Sequence, residues 1–410
     1  MRGVSGSIWF LWVLVSVFYA FQYILRVLPN ILMPDIMSRF HIDAVLFGQL
    51  SGWYYIGYAL IHIPVGLMLD YWGPKKVIPV CLLLTVVGLL PLMYSSHWMY
   101  PLLGRVLIGI GSSAAILGCF KVIRMGFPED WFTRILGLTA TIGLCGAIYG
   151  GKPVALLFEQ YGFEQPLWGL MATGVGLAAL IYFTAPKIEK VPQHTPWEDI
   201  KIILSNKKFL FLSFLGGCMV GPVEGFADAW GASFLQQAYG LEKTVASNYT
   251  SQIFVGFCFG APFLTFFADK FKAYLSTILF SAVLMGGVFT TLLVYSVPVA
   301  WLPFLFTIVG VFCAYQMILI YKASTFVETE LAGLATACTN MIIMIFGYLF
   351  HSSIGTLMDL FWDGSMRDGH IIYTQDSFFF GLGIIPMGMF LAALGVMGLA
   401  WQERNKRLPA

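Results

Sequence analysis

Apolar stretches of about 19 residues or more recur along the whole chain, and each ends at a cluster of charged or turn-forming residues. A helix climbs about 1.5 Å per residue, so each stretch can cross a hydrocarbon core of about 30 Å. The apolar positions run continuously rather than alternating, which predicts helices and not barrel strands. The pattern predicts spans near 8–33, 44–69, 77–95, 99–124, 134–158 and 166–186, then 209–236, 245–268, 273–296, 300–322, 332–360 and 376–401. Between the two sets lies the polar stretch KIEKVPQHTPWEDIKIILSNKK, Lys187 to Lys208. Three segments follow: a six-helix bundle over 1–186, a connecting loop over 187–208, and a second six-helix bundle with a short tail over 209–410. The opening MRGVSGSIWFLWVLV has a longer apolar run than the 7 to 15 or so residues of a signal peptide and no convincing cleavage site, so it reads as an uncleaved first span.

Composition agrees. Of 410 residues, 59% are hydrophobic and 11% charged, against roughly 25% charged in soluble domains, which predicts an all-α integral membrane protein. A net charge of +2 points to no nucleic-acid partner. The seven cysteines all fall in predicted spans without metal-type or redox spacing, as small hydrophobes do, and neither metal nor cofactor is expected. The distribution of cations sets an orientation by the positive-inside rule. With the amino terminus inside, the inner segments carry Arg2, Lys75, Lys76, Arg124, Arg134, Lys187, Lys190, Lys201, Lys207, Lys208, Lys270, Lys272, Arg404, Lys406 and Arg407; the outer segments carry Arg39, Lys243 and Arg367. Both termini and the connecting loop are therefore expected in the cytoplasm, with the chain in a bacterial inner membrane.

The halves echo one another. Gly57 to Asp70 closes the second span and Gly256 to Asp269 closes the eighth with the same spacing. The same offset sets Gly225, beside Glu224, opposite Arg26, and His351 opposite Lys152; Lys121 and Lys322 also nearly correspond. Duplicated halves around a midplane site are the architecture of secondary transporters.

The stretch GLMLDYWGPKK, Gly66 to Lys76, resembles the major facilitator superfamily signature between the second and third helices, G-x-L-x-D-R-x-G-R-R. Gly66, Asp70, Gly73, Lys75 and Lys76 match by type, whereas Tyr71 replaces a basic residue. Gly66 is expected to let two helices approach closely, and the resemblance implies a loop that latches the outward-facing state. RVLIGIGSSAA, from Arg105, is similar to the family's fourth-helix pattern of an arginine followed by spaced glycines. Within the superfamily, YILRVLPNILMPDIMSRFHIDAVLFGQLSG (Tyr23 to Gly52) resembles the first helix and loop of organophosphate and organic-anion transporters, and of nutrient and amino acid carriers of intracellular bacteria. That likeness gives Arg26 the role of binding an anionic group. The fifth helix reads YGGKPVALLF; drug/proton antiporters favour Gly-Pro there without Lys152, which counts against drug efflux.

A cation within a membrane helix is costly and marks either a functional site or a buried pair. Arg26, Lys152 and Arg105 all lie roughly 10 Å from the outer helix ends by helical rise, which makes an anion site in one half. The competing reading has Arg26 and Arg105 snorkelling or pairing with acids such as Asp35. Glu224 and Asp228 stand one helical turn apart, on one face. They serve as proton carriers, as partners of a substrate amine, or as counter-ions of Arg26 and Lys152. Lys121 and Lys322 either snorkel to the inner surface or guide anions. His62 and His351 are candidates for proton coupling, as is Arg105, against structural roles. Tyr54, Tyr55, Tyr58 and Asn340 are candidates for substrate contact, against plain packing.

No enzyme motif is present: GIGSSA (Gly109 to Ala114) lacks the strand context and lysine of a phosphate loop. The expectation is a monomeric, proton-coupled carrier that imports a small polar nutrient bearing an anionic group, an organic anion or an amino acid. Its partners are that solute, protons and the lipid bilayer. Rival readings are a polycarboxylate siderophore carrier, proton-driven drug or metabolite efflux, and a non-transporting receptor.

Overall fold

The computed structural model of the chain describes residues 5–128, 131–186, 197–367 and 370–405. Arg2, Lys187, Lys190, Lys406 and Arg407, counted above among the inner cations, lie outside the described residues. Among the described residues twelve helices are long and apolar enough to cross a membrane: α1 Gly6–Phe40, α2 Ala44–Trp72, α3 Pro74–Tyr94, α4 Met99–Gly126, α5 Arg134–Tyr161, α6 Glu164–Thr184, α7 Lys207–Tyr239, α8 Lys243–Phe271, α9 Tyr274–Val294, α10 Val299–Ser324, α11 Thr329–Leu360 and α12 Gln375–Asn405. A short helix, Trp197–Ser205, precedes α7, and a two-stranded hairpin, β1 Met366–Arg367 with β2 His370–Ile371, joins α11 to α12.

Helix α1 continues past its predicted end at 33 to Phe40, and α2 past 69 to Trp72. An apolar run marks where a helix leaves hydrocarbon, whereas backbone hydrogen bonding carries the helix into its polar flank. Two spans are not single regular helices. The fifth breaks at Gly151 into Phe132–Gly150 and Lys152–Tyr161, with Pro153 in the first turn of the second piece. The seventh stops at Cys218, rewinds as a π-helix over Gly221–Trp230, and resumes as an α-helix over Gly231–Tyr239. Pro222 explains the interruption, because it has no N–H for the Cys218 carbonyl. Gly231 N–H then bonds the Phe226 carbonyl, closing the wider i→i+5 ring.

The chain divides into two compact units, Met1–Leu32 with Leu50–His194, and Met33–Gln49 with Thr195–Ala410. In unit 1 glycines bring helix backbones together. A side chain on Gly57 would strike the Val106 carbonyl, and one on Gly109 the Tyr54 carbonyl, so α2 and α4 touch backbone to backbone. Gly66 behaves otherwise. A Cβ there would meet only Leu117 Cδ1, at 3.9 Å, so the close approach expected of it belongs to Gly57, earlier in the same helix. Gly73 is the one signature glycine whose backbone demands its type: φ of 77° at the start of α3, just before Pro74, is strained for any L side chain.

Unit 2 repeats the backbone contact between α8 and α10, through Gly256 on Thr307 and Gly310 on Ile253. It also includes residues 33–49, the tip of the α1–α2 hairpin, which the spacing assigns to the first half. Within unit 2 that tip is pinned by an Asp35 Oδ2 to Lys243 Nζ ion pair at 2.7 Å, and by the Ala44 N–H, which donates to Tyr373 Oη at 2.8 Å. Close backbone contacts of Gly48 with His351 and of Gly355 with Ala44 complete the seam.

Candidate functional site

In unit 1, the chemistry starts from Pro29. Four residues earlier in α1 the Leu25 carbonyl loses its helical partner, since proline has no N–H. Arg105 of α4 supplies the missing donor: its Nη1 bonds Leu25 O at 2.8 Å and its Nη2 bonds Ser51 O of α2 at 3.3 Å. The same guanidinium lies 4.9 Å from the centre of the Tyr54 ring, whose hydroxyl donates to Gln22 Oε1 at 2.7 Å. One side chain thereby ties α1, α2 and α4, by charge-assisted bonds each of order 1.5–3 kcal/mol. Arg105, expected at the anion site or in proton coupling, also holds the Leu25 carbonyl of α1 at this depth.

Arg26 follows Leu25 directly. It is 6% exposed, and its guanidinium lies 5.2 Å from the Tyr23 ring centre and 5.3 Å from that of Tyr55. Such contacts contribute roughly 0.5 to 2 kcal/mol each, increasing as water is removed. Tyr54 also packs edge-on against Tyr55, and Tyr58 stacks on His62 at 5.1 Å between centres. The predicted residues Arg26, Tyr54, Tyr58 and Arg105 therefore belong to one aromatic and cationic cluster. Tyr23 and Gln22, which complete it, were missed. The signal for the clamp was present in the sequence as Pro29 four residues after Leu25.

Lys152 is exposed at the first position after the Gly151 break. The signature acid Asp70 pairs with Lys121 Nζ at 2.7 Å, which resolves Lys121 as an ion-pair partner near the helix ends. Lys75 rests 5.2 Å from the Tyr182 ring centre, and Lys76 is exposed.

In unit 2, Glu224 and Asp228 lie on the π-helix, buried at 2% and 0% exposure. They were expected one α-helical turn apart; the wider winding changes that relation, yet both remain inside. Fully buried His351 of α11 donates its Nε2–H to the Glu224 carbonyl, which settles its tautomer and ties α11 to the π-helix. Trp230 closes the π-segment with its indole N–H buried and without a hydrogen-bond partner among the described residues. Asn340 is half-buried on α11. Lys322, expected to contact substrate, is paired with Glu403 at 3.0 Å and lies 4.9 Å from the Phe326 ring centre, at the end of α10.

Unit 2 also holds a cavity of about 590 Å³, lined in part by Met33, Met37, His41, Gln236 and Tyr373. None of the predicted site residues lines it. Burial pushes the Tyr373 phenol above its ordinary value, so it stays a donor and bonds Asp359 Oδ1 at 2.9 Å. Among the described residues no cluster of His, Cys, Asp and Glu could hold a metal ion.

Comparison with known proteins is consistent with this architecture. Residues 14–351 match the family described as Major Facilitator Superfamily. The uncharacterised transporter YybO of Bacillus subtilis (strain 168) is 23% identical over 273 residues, covering 59% of this chain and 60% of that protein. The human MFS-type transporter SLC18B1 is 22% identical over 171 residues, 40% of this chain and 35% of that one. The matched region thus spans less than two thirds of either relative. Among solved structures, a bacterial homologue of the human lysosomal transporter Spinster, inward-facing and unoccupied, superposes with a TM-score of 0.75 at 15% identity over 96% of both chains. The nucleoside transporter NupG does so with a TM-score of 0.74 at 15% identity, over 95% of this chain and 99% of that one. At such identities these two likenesses are of fold alone. With twelve membrane-length helices in two units, and a family match running from within α1 to His351, the chain belongs to the Major Facilitator Superfamily.

Proposed function

We propose that this protein is a secondary transporter that imports a small polar nutrient bearing an anionic group, an organic anion or an amino acid, by alternating access coupled to protons. The observation that carries the reading is the buried Arg26 guanidinium against the rings of Tyr23 and Tyr55, next to a helix turn that Arg105 holds in register. A planar fork with five donors suits a carboxylate or phosphate. Glu224 and Asp228, buried on a rewound helix, are suited to carry the coupling proton or to receive a substrate amine. Tyr54 and Tyr58 shape the cationic side, and Lys152 and Asn340 are secondary contacts. The protein works as a monomer in a bacterial inner membrane, with both termini in the cytoplasm.

The test is uptake into proteoliposomes from a panel of amino acids, organic acids and phosphate esters, with and without an imposed pH gradient. The expected outcome is accumulation of one class, raised by an inward proton gradient. Arg26→Ala should fall to the protein-free background, and Arg26→Lys, which keeps charge but loses the fork, should weaken affinity. Full uptake by Arg26→Ala would remove Arg26 from the site; no uptake of any panel member would overturn the nutrient reading.

A further inference from the structure

The end of α12 carries a feature outside the site proposed above. A cavity of about 520 Å³ opens between the start of α9, the end of α10 and the end of α12. Lys272, Lys322 and Arg404 line it from three separate elements, with Tyr274, Ser276 and one carboxylate, Glu403. Glu403 is already engaged with Lys322 at 3.0 Å, while Lys272 and Arg404 are exposed. The cavity therefore carries a positive excess. The first turn of α9 forms one wall, so the positive end of that helix adds to the cations.

The depth of the cavity follows from the aromatic residues around it. Phe271 precedes Lys272, Tyr321 precedes Lys322, and Trp401 stands one turn before Arg404, all three exposed. Exposed Trp and Tyr at the ends of apolar spans mark the headgroup layer of a bilayer. One to two turns before Lys272, within the apolar span, Phe263, Phe266 and Phe267 of α8 are exposed. A basic pocket between helix ends at headgroup depth, above an apolar flank, has the chemistry of an anionic phospholipid site.

We propose that Lys272, Lys322 and Arg404 form a binding site for the phosphate of an anionic phospholipid, with its acyl chains along the apolar flank below.

The full-length protein in detergent is titrated with dioleoyl-phosphatidylglycerol, dioleoyl-phosphatidylcholine or inorganic phosphate, following thermal stability and lipid retention by native mass spectrometry. Phosphatidylglycerol should bind and raise the melting temperature, and phosphatidylcholine should do neither. In Lys272→Gln/Arg404→Gln the phosphatidylglycerol affinity should be at least about tenfold weaker, given the electrostatic contribution of each cation near a headgroup. Lys201→Gln/Arg134→Gln, which removes two exposed cations that line neither this cavity nor the one lined by Lys207 and Lys208, should bind as the parent does. The proposal is overturned if the two lipids bind equally, if a monodisperse Lys272→Gln/Arg404→Gln protein keeps its affinity, or if the Lys201→Gln/Arg134→Gln control weakens binding as much. Full displacement of the lipid by millimolar inorganic phosphate would reassign the site to a soluble anion. The readout is binding, so it is independent of whether any solute is transported.

Discussion

In unit 1 Gly57 of α2 meets Val106 of α4 and Gly109 meets Tyr54; in unit 2 Gly256 of α8 meets Thr307 of α10 and Gly310 meets Ile253. The backbone crossing is the same, but the residues around it are not. Four residues before Gly109 stands Arg105, which bonds the Leu25 carbonyl of α1. Four residues before Gly310 stands Phe306, fully buried, with its ring 5.3 Å from that of Phe226 on α7. A guanidinium locks one crossing and an aromatic stack the other. Pro29 frees the Leu25 carbonyl for the shorter of the two Arg105 bonds. The charged helix ends differ as well. Lys121 ties α4 to Asp70 of α2, while Lys322 ties α10 to Glu403 of α12, and Asp269 accepts the Tyr274 hydroxyl at 2.8 Å instead.

The largest effects should come from the shared crossing. Gly109→Leu and Gly310→Leu each force backbone atoms apart, and each should cost about 3 kcal/mol or more, seen as loss of the monodisperse fraction in size-exclusion chromatography. If one is tolerated and the other is not, the two crossings are not mechanical equivalents.

The locks should separate next. Arg105→Met leaves the Leu25 carbonyl buried and unbonded, a loss of about 2 to 3 kcal/mol; Phe306→Met stays apolar and should cost under about 1.5 kcal/mol, both read by thermal unfolding. Adding Pro29→Ala to Arg105→Met restores an N–H to that carbonyl, and a double-mutant cycle should show about 1 kcal/mol of recovery. Absence of any coupling between these two sites would mean that the guanidinium does not act through the freed carbonyl.

The smallest effects belong to the ion pairs at the helix ends. Lys121→Gln and Lys322→Gln should each change stability by less than about 1 kcal/mol, since both pairs keep partial contact with solvent. Their cycles sharpen the comparison: Lys121 should couple to Asp70, whereas Lys322 should couple to Glu403 and not to Asp269.

Much of this was legible beforehand for physical reasons. Membrane helices must be long and apolar, so all twelve spans follow from the runs of apolar residues, and a buried cation such as Arg26 stands out by its cost. The same reading failed where backbone geometry decides. Nothing in the apolar pattern distinguishes an α-helix from the π-helix that carries Glu224 and Asp228; Pro222 is the trace it leaves. Counting charge along the sequence leaves Arg105 a candidate for ligand contact, coupling or structure; its bond to Leu25 becomes visible only by asking which carbonyl has lost its donor. The tip over 33–49 falls with unit 2 because its contacts to Lys243, His351 and Tyr373 are distant in sequence and follow no repeat.

The π-helix also has a meaning for how this chain tolerates changes in length. A segment wound i→i+5 stores residues that an α-helix covering the same rise would not need. Removing a single residue between Gly221 and Trp230 can be absorbed by tightening part of the segment from π to α, which leaves the flanking helices close to their original phase. Glu224 and Asp228, inside the rewound stretch, would change direction relative to each other while α7 kept its length. In this helix a one-residue deletion spares the flanks, and it can separate what depends on the direction of Glu224 and Asp228 from what depends on their presence.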